Sequence, residues 1–251
     1  MEVTIMKNKL FLGSFIALMF LGAPQSSDAA GNSERIIYIP SGECLNYGEY
    51  NMSFRVYNYG GMLTRSVFGV LQGMNVGFSW DIANLIGSET VHGRDPALYL
   101  KLDLFRESVL MPAMALGYDA QGYEWDASRR EYSRQALGAF LVMSKEFILP
   151  NLYLTGVTNY NNKDRDPDHD FMDKLGGFAG FNYTPSRVGF YYEAVNLGQG
   201  RNLCRMNAGA KYEVVDGLQF MLSFENISEA GRIELDKQQQ RTFSILYKGA
   251  F

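Results

Sequence analysis

The chain has 251 residues, of which 47% are hydrophobic, 20% charged and 14% aromatic, with a formal net charge of −4. That is too apolar for a disordered chain and too polar for a helical membrane protein, and it gives nucleic acid no basic face to bind. Two cysteines and two histidines are too few for a zinc ribbon, a disulfide scaffold or a histidine metal site, so no cofactor or metal is expected.

Residues 1–29 read as a signal peptide. Lys7 and Lys9 precede an apolar stretch over 10–22, and small residues follow, with Ser27 and Ala29 suited to the −3 and −1 positions. Met6 offers an alternative start with a more usual leader. A membrane anchor would need about 20 apolar residues, and this run is shorter. No cysteine stands at the cleavage point, so lipoprotein processing is not expected. Residues 30–47 follow as an N-terminal segment, either periplasmic or plugging a barrel lumen.

From residue 48 the chain breaks into segments of period-2 alternation, the pattern of half-buried strands. Leu98, Leu100, Leu102 and Leu104 alternate with Tyr99, Lys101, Asp103 and Phe105; Leu218, Phe220, Leu222 and Phe224 alternate with Gln219, Met221, Ser223 and Glu225. Twelve strands are predicted, at 48–58, 64–71, 73–81, 96–105, 108–120, 132–146, 151–160, 174–184, 187–197, 204–214, 217–226 and 240–251. Their connections sort by length. Very short ones fall at 72–73, 106–107, 149–150, 185–186 and 216–217, and mostly longer ones at 82–95, 121–131, 161–173, 198–203 and 227–239. Only the connection near 59–61 breaks the alternation. Short periplasmic turns opposite longer external loops are the habit of outer-membrane barrels. In hydrocarbon every backbone polar group needs an internal partner, so without a spanning helix a closed sheet is what remains. The predicted fold is an all-β, antiparallel, up-and-down transmembrane β-barrel over 48–251, in the outer membrane of a Gram-negative-type bacterium.

Two further features agree. Phe243, Ile245, Tyr247 and Phe251 share one face of a last strand that ends in Phe, with Gly249 the weak position, which resembles the signal read by the barrel assembly machinery. Tyr50, Trp80, Tyr118, Tyr160, Tyr183, Tyr212 and Tyr247 lie near strand ends, where aromatic girdles meet lipid and lipopolysaccharide, although aromatics are enriched in any β-sheet.

The opposite face would line the lumen. It carries Arg55, Asp81, Lys101, Asp103, Asp119, Glu193, Lys211, Glu213, Glu225 and Lys248, with Ser53, Asn75, Ser79, Ser144, Tyr191, Asn207 and Ser223 between them. Mixed charges in a narrow lumen are read as ion pairs bracing the wall, in preference to a tuned binding path, because buried charges need partners; Arg55 with Asp103 or Glu225 is offered as a guess. Gly176, Gly177, Gly180, Gly189 and Gly209 fall within strands. Tight curvature is the favoured reading, and a plug from 31–47 or 82–95 lying against that wall is the alternative.

Other constellations carry less. Ser88 and His92, with His169 elsewhere, are the material for a Ser-His lipid hydrolase, but both histidines fall in loops. Asp164, Asp166, Asp168 and Asp170 alternate in a loop that lacks the glycine and closing glutamate of an EF-hand and carries Lys163 and Arg165. A solvated external loop is the better reading. Cys44 and Cys204 belong at opposite ends of the barrel, so a disulfide is expected only if the N-terminal segment threads the lumen. Asn51-Met52-Ser53 matches a glycosylation sequon, which has no force on a bacterial surface.

Phe54-Arg-Val-Tyr57 with Gly60-Gly61, Asn84 to Ser88, Pro112 to Asp119 with Gln121-Gly122-Tyr123, and Val142 to Phe147 resemble the YjbH-like outer-membrane barrel family over about residues 48–160. The resemblance implies a part in exopolysaccharide production and no catalytic residues. The sequence therefore predicts a non-enzymatic outer-membrane barrel, a narrow pore or an envelope or exopolysaccharide export component, whose partners are outer-membrane lipid, lipopolysaccharide and polysaccharide rather than nucleic acid. An outer-membrane enzyme acting on lipid or lipopolysaccharide, and a surface adhesin, are the alternatives.

Overall fold

The computed structural model describes residues 34–88, 90–126, 131–134, 136–160, 175–197, 204–227 and 239–251. The leader, His169 and the acidic loop 161–173 lie outside them. Fifteen strands occur among the described residues: β1 (Glu49–Tyr57), β2 (Gly61–Leu71), β3 (Met74–Ala83), β4 (His92–Gly93), β5 (Ala97–Phe105), β6 (Ala113–Asp119), β7 (Tyr123–Asp126), β8 (Glu131–Arg134), β9 (Gly138–Glu146), β10 (Leu152–Tyr160), β11 (Leu175–Tyr183), β12 (Val188–Leu197), β13 (Arg205–Val215), β14 (Leu218–Glu225) and β15 (Gln240–Ala250).

Twelve of these form the barrel. β1 pairs antiparallel with β2 on one side and with β15 on the other, so first and last strands meet and the sheet has no free edge. Each remaining barrel strand pairs antiparallel with its neighbours in chain order. Closure satisfies the backbone of every strand from within the sheet, which an apolar solvent demands. No helix among the described residues is long and apolar enough to cross a membrane. The outer face is apolar and uncovered: Phe54, Phe78, Leu98, Leu102, Leu116, Phe190, Leu222, Phe243 and Ile245 are all exposed. Solvated by acyl chains, such a surface is stable; in water it would be an aggregation hazard. Outward aromatics form two levels. Trp80, Tyr118 and Tyr160 stand toward the long-loop end, and Tyr50, Tyr183, Tyr212 and Tyr247 toward the turn end.

The seam is built from aromatics. Tyr50 stacks on Phe251 with ring centroids 6.0 Å apart and leans against Tyr247 at 5.9 Å. Gly249 lies opposite Tyr50 in register, and a Cβ there would come 2.6 Å from the Tyr50 Oη. The gap in the terminal apolar pattern is thus the space that the Tyr50 ring occupies.

Three local expectations are corrected. The strand predicted at 108–120 begins only at Ala113, and the connection expected at 106–107 runs from 106 to 112. Ser108 closes this connection on itself, its N–H donating to the Met111 carbonyl at 3.0 Å, and the run Val109-Leu110-Met111 had read as strand. The strand predicted at 132–146 is two elements: β8 pairs locally with β7 in a separate hairpin, and β9 alone enters the barrel. Finally, the strand predicted at 64–71 begins already at Gly61. Leu63, Arg65 and Val67 point inward and are buried, while Thr64 and Ser66 point outward.

Candidate functional site: a lumen filled by the chain's own N-terminal segment

The interior of the barrel is occupied by residues 34–45, with Asn46 and Tyr47 exposed at the rim. Arg35 bridges Pro40, the Ser41 N–H donates to the Glu34 carbonyl at 3.0 Å, and the Ile36 N–H donates to the Ile39 carbonyl at 3.0 Å. These bonds fold 34–41 into a tight hairpin with Ile37 and Tyr38 at its tip. Ile36, Ile37, Ile39 and Leu45 are buried in one cluster with inward side chains of the wall, among them Val67, Tyr99, Phe140, Val142, Val157, Phe178, Val195 and Met221. Apolar groups pointing into a barrel need a dry partner, and the plug supplies it.

The polar wall residues grip the main chain of this segment. Glu193 of β12 is the strongest anchor. Its carboxylate accepts from three consecutive backbone amides, Ile37 at 3.3 Å, Tyr38 at 2.9 Å and Ile39 at 3.2 Å, and from the Asn207 amide nitrogen at 2.7 Å. Successive amides aimed at one point form a cradle for an anion, and here the anion belongs to the wall. Ser144 Oγ accepts from the Gly42 N–H at 2.7 Å, Asp103 from the Cys44 N–H at 3.0 Å, and Asn75 from the Leu45 N–H at 3.1 Å. In the opposite sense, Lys101 Nζ donates to the Ser41 and Glu43 carbonyls, and Arg55 donates to the Ile37 carbonyl. Near the hairpin base, plug Arg35 and wall Arg65 both pair with Asp119, and both guanidinium groups lie over the Tyr99 ring, at 5.2 and 5.7 Å. Glu34, 3.8 Å from Arg35, supplies the second negative charge, so two carboxylates balance the two cations.

The residues expected on the lumen face therefore divide. Arg55, Lys101, Asp103, Asp119 and Glu193 hold the plug. Arg55 also stands 3.7 Å from Glu225. Asp81 accepts from the Tyr57 hydroxyl at 2.7 Å, and Lys211 lies 4.8 Å over the Tyr191 ring. Glu213 and Lys248 are brought elsewhere. Glu213 accepts from the Gly217 N–H in a turn, and the exposed Lys248 pairs with Glu49 at 3.4 Å, both at the turn-end rim. Strand-end positions keep the inward phase but lie beyond the filled section.

Arg65, Tyr99 and the plug residue Arg35 were not singled out in the sequence. The signal that would have found them is the inward apolar set: Leu63, Val67, Val142 and Val157 have no reason to face water. The glycine reading is also corrected at one position. A Cβ on Gly180 would come 2.7 Å from the Tyr192 carbonyl oxygen of the wall and 2.9 Å from Ile36 Cδ1 of the plug, so that glycine serves both close strand packing and the plug. Gly69, not flagged in the sequence, also makes room for the N-terminal segment, since a Cβ there would meet the Asn46 carbonyl oxygen at 2.0 Å. Cys44 and Cys204 are not joined in a disulfide, although the segment is in the lumen. Cys44 lies toward the turn end beside Asp103, and Cys204 precedes β13 at the loop end. Ser88 and His92 are both exposed on the loop after β3, where His92 pairs through its backbone with Ala83.

No family model matches the chain, and no curated protein matches it. Solved barrels resemble it at low identity. Outer membrane phospholipase A from Escherichia coli is 15% identical, covering 95% of this chain and 98% of its own, with a TM-score of 0.45. An outer-membrane channel from Pseudomonas putida F1 is 11% identical, covering 82% and 97%, with a TM-score of 0.42. The NanC porin is 9% identical, covering 80% and 99%, with a TM-score of 0.44. Neither channel activity nor lipid hydrolysis carries over at these values. By its own closed sheet, apolar belt and sorted loops, the chain is a twelve-stranded β-barrel of the bacterial outer membrane.

Proposed function

We propose that the protein is a non-enzymatic outer-membrane channel of narrow bore, held shut at rest by its N-terminal segment. The observation that carries this reading is the grip of wall side chains on plug main chain, from the Glu193 cradle down to Asn75. A lumen built only for bracing would pair its charges across the wall; here Lys101, Asp103, Ser144 and Glu193 spend their hydrogen bonds on a segment joined to the barrel by one end. Withdrawal of that segment would leave a bore whose lining mixes hydroxyls and amides, among them Asn75, Ser144, Thr155, Asn182, Asn207, Ser223 and Thr242, with charges and with the apolar Val67, Phe140, Val142 and Val157. Such a lining suits a hydroxyl-rich solute, and an exopolysaccharide chain is the cargo class we favour.

Single-channel recording of the full chain in planar bilayers tests this. The wild type should be closed for most of the record. Glu193→Ala, which removes the acceptor for three plug amides, should raise the open fraction at least tenfold without altering heat-modifiable gel mobility. A wild type that conducts steadily, or a Glu193→Ala protein that stays silent although Cys44 has become reactive, would contradict the proposal.

A further inference from the structure

The turns at the periplasmic end are not alike. Gln72-Gly73, Pro185-Ser186 and Asp216-Gly217 are polar, as turns facing water should be. The connections 106–112 and 147–151 are not. They flank β6 and β9, which pair directly, and together they present Val109, Leu110, Met111, Ile148 and Leu149, all exposed, with Leu110 at 73% and Ile148 at 72%. Ile148 also holds φ at +58°, a conformation a β-branched residue adopts only when its surroundings require it.

Some of the polar groups of these connections are turned inward, although the Arg106 and Ser108 side chains stay exposed. Lys145 follows the lumen-facing Ser144 and is paired in register with Leu154, so it belongs to the lipid face, yet it is only 3% exposed. The cover is the 106–112 connection. Lys145 Nζ donates to the Glu107 carboxylate at 3.1 Å and to the Ser108 carbonyl at 2.6 Å, and the same carboxylate accepts from the Glu146 N–H at 3.0 Å. The Glu146 carboxylate in turn accepts from the Asn151 N–H. A lysine on the lipid face is destabilising in proportion to its depth. Here it is neutralised and sealed beneath a loop whose outer surface is apolar. A bulge between Asp103 and Phe105 leaves Leu104 and Phe105 both exposed on the belt just before it, with the exposed Arg106 between them and the apolar run 109–111, where it can reach up to the headgroup level.

We infer that the 106–112 connection is a flap whose apolar tip, Val109, Leu110 and Met111, is immersed among the acyl chains of the periplasmic leaflet, with Ile148 and Leu149 beside it. The occupant of this surface is lipid. A flap so placed deepens the hydrophobic belt over one sector of the barrel. The inference is independent of whether the lumen opens.

Site-directed bimane fluorescence tests it on the full chain in phospholipid vesicles, with Cys44→Ser and Cys204→Ser as background. The label goes on Leu110→Cys and, as a second site against misfolding, on Val109→Cys. Leu102→Cys on the belt and Asp216→Cys in a polar turn are the references. Nitroxide on the lipid chains should quench the Leu110 and Val109 labels as strongly as the Leu102 label, and at least threefold more than the Asp216 label. Adding Glu107→Gln, which loosens the cover on Lys145, should reduce that quenching about twofold. Quenching at the Asp216 level with ready access for aqueous iodide would overturn the inference. So would labels shielded from both quenchers together with a dimer on cross-linking, since a second copy would then be the occupant.

Discussion

At the residue scale, the plug depends on a few side chains whose loss leaves buried groups without partners. Removing a buried acceptor costs more than the net worth of its hydrogen bonds, because the orphaned donors remain desolvated; for a charged acceptor the loss is about 1.5–3 kcal/mol per well-formed contact in the general case. Glu193 serves three plug amides and Asn207 at once, so its loss is concentrated on one segment. Cys44 reports on this. Burial pushes its thiol up to about 12, with a hydrogen bond to Asp103 acting in the same direction and the Lys101 cation opposing both. Only the thiolate alkylates, so labelling of Cys44 in the folded chain should be slow at pH 7.5 and rise steeply above pH 9. In Glu193→Ala, release of the segment should bring the thiol toward its ordinary value and speed labelling at pH 7.5 at least tenfold. Equal rates in the two proteins would mean that Glu193 does not hold the segment.

At the element scale, the closing seam and the flap are the parts a mutation can probe separately. Gly249→Val would drive a side chain into the space of the Tyr50 ring and break the Tyr50, Tyr247 and Phe251 stack. Overpacking of this kind costs about 1–3 kcal/mol, which should lower the temperature of the folded-to-unfolded gel shift; Gly249→Ala should lower it less. Phe251 is 82% exposed and contributes only the outer ring of that stack. Phe251→Ala should therefore slow insertion by the assembly machinery more than it lowers thermal stability, read as folded protein formed per minute against the gel-shift temperature. The strands were legible because lipid outside and polar contacts inside enforce strict alternation, as in β5 and β14. Alternation marked β2 as a strand but failed to give its faces, because Leu63 and Val67 face a plug rather than water. It failed again at 109–111, where lipid is on the outer side of a loop and an apolar run without alternation looks like a strand. Local pairing of β7 with β8 was invisible for a different reason, since each is only four residues long, too short to show a period, and β8 stands just ahead of the longer barrel strand.

For the whole molecule, closure and filling are two statements with different origins. Closure follows from the sequence through loop sorting and the terminal aromatic strand, because a sheet in hydrocarbon cannot leave an edge unpaired. Filling does not follow from any one segment. Residues 34–45 carry no long motif, and their partners Asn75, Lys101, Asp103, Ser144 and Glu193 are scattered over four strands and more than a hundred positions. What the sequence did contain was an excess of inward apolar residues and of lumen charges of both signs, each asking for a partner that the wall alone does not provide. The filled lumen is the central claim, and an engineered cross-link tests it most directly. The Cys44 N–H donates to the Asp103 carboxylate at 3.0 Å, which puts the two side chains side by side, so Asp103→Cys with Cys204→Ser should oxidise in isolated outer membranes to one intramolecular disulfide between position 44 and position 103, found by peptide mass mapping and reversed by reductant. Two freely alkylated thiols under the same oxidation, in protein that still shows the folded gel mobility, would place the N-terminal segment outside the barrel.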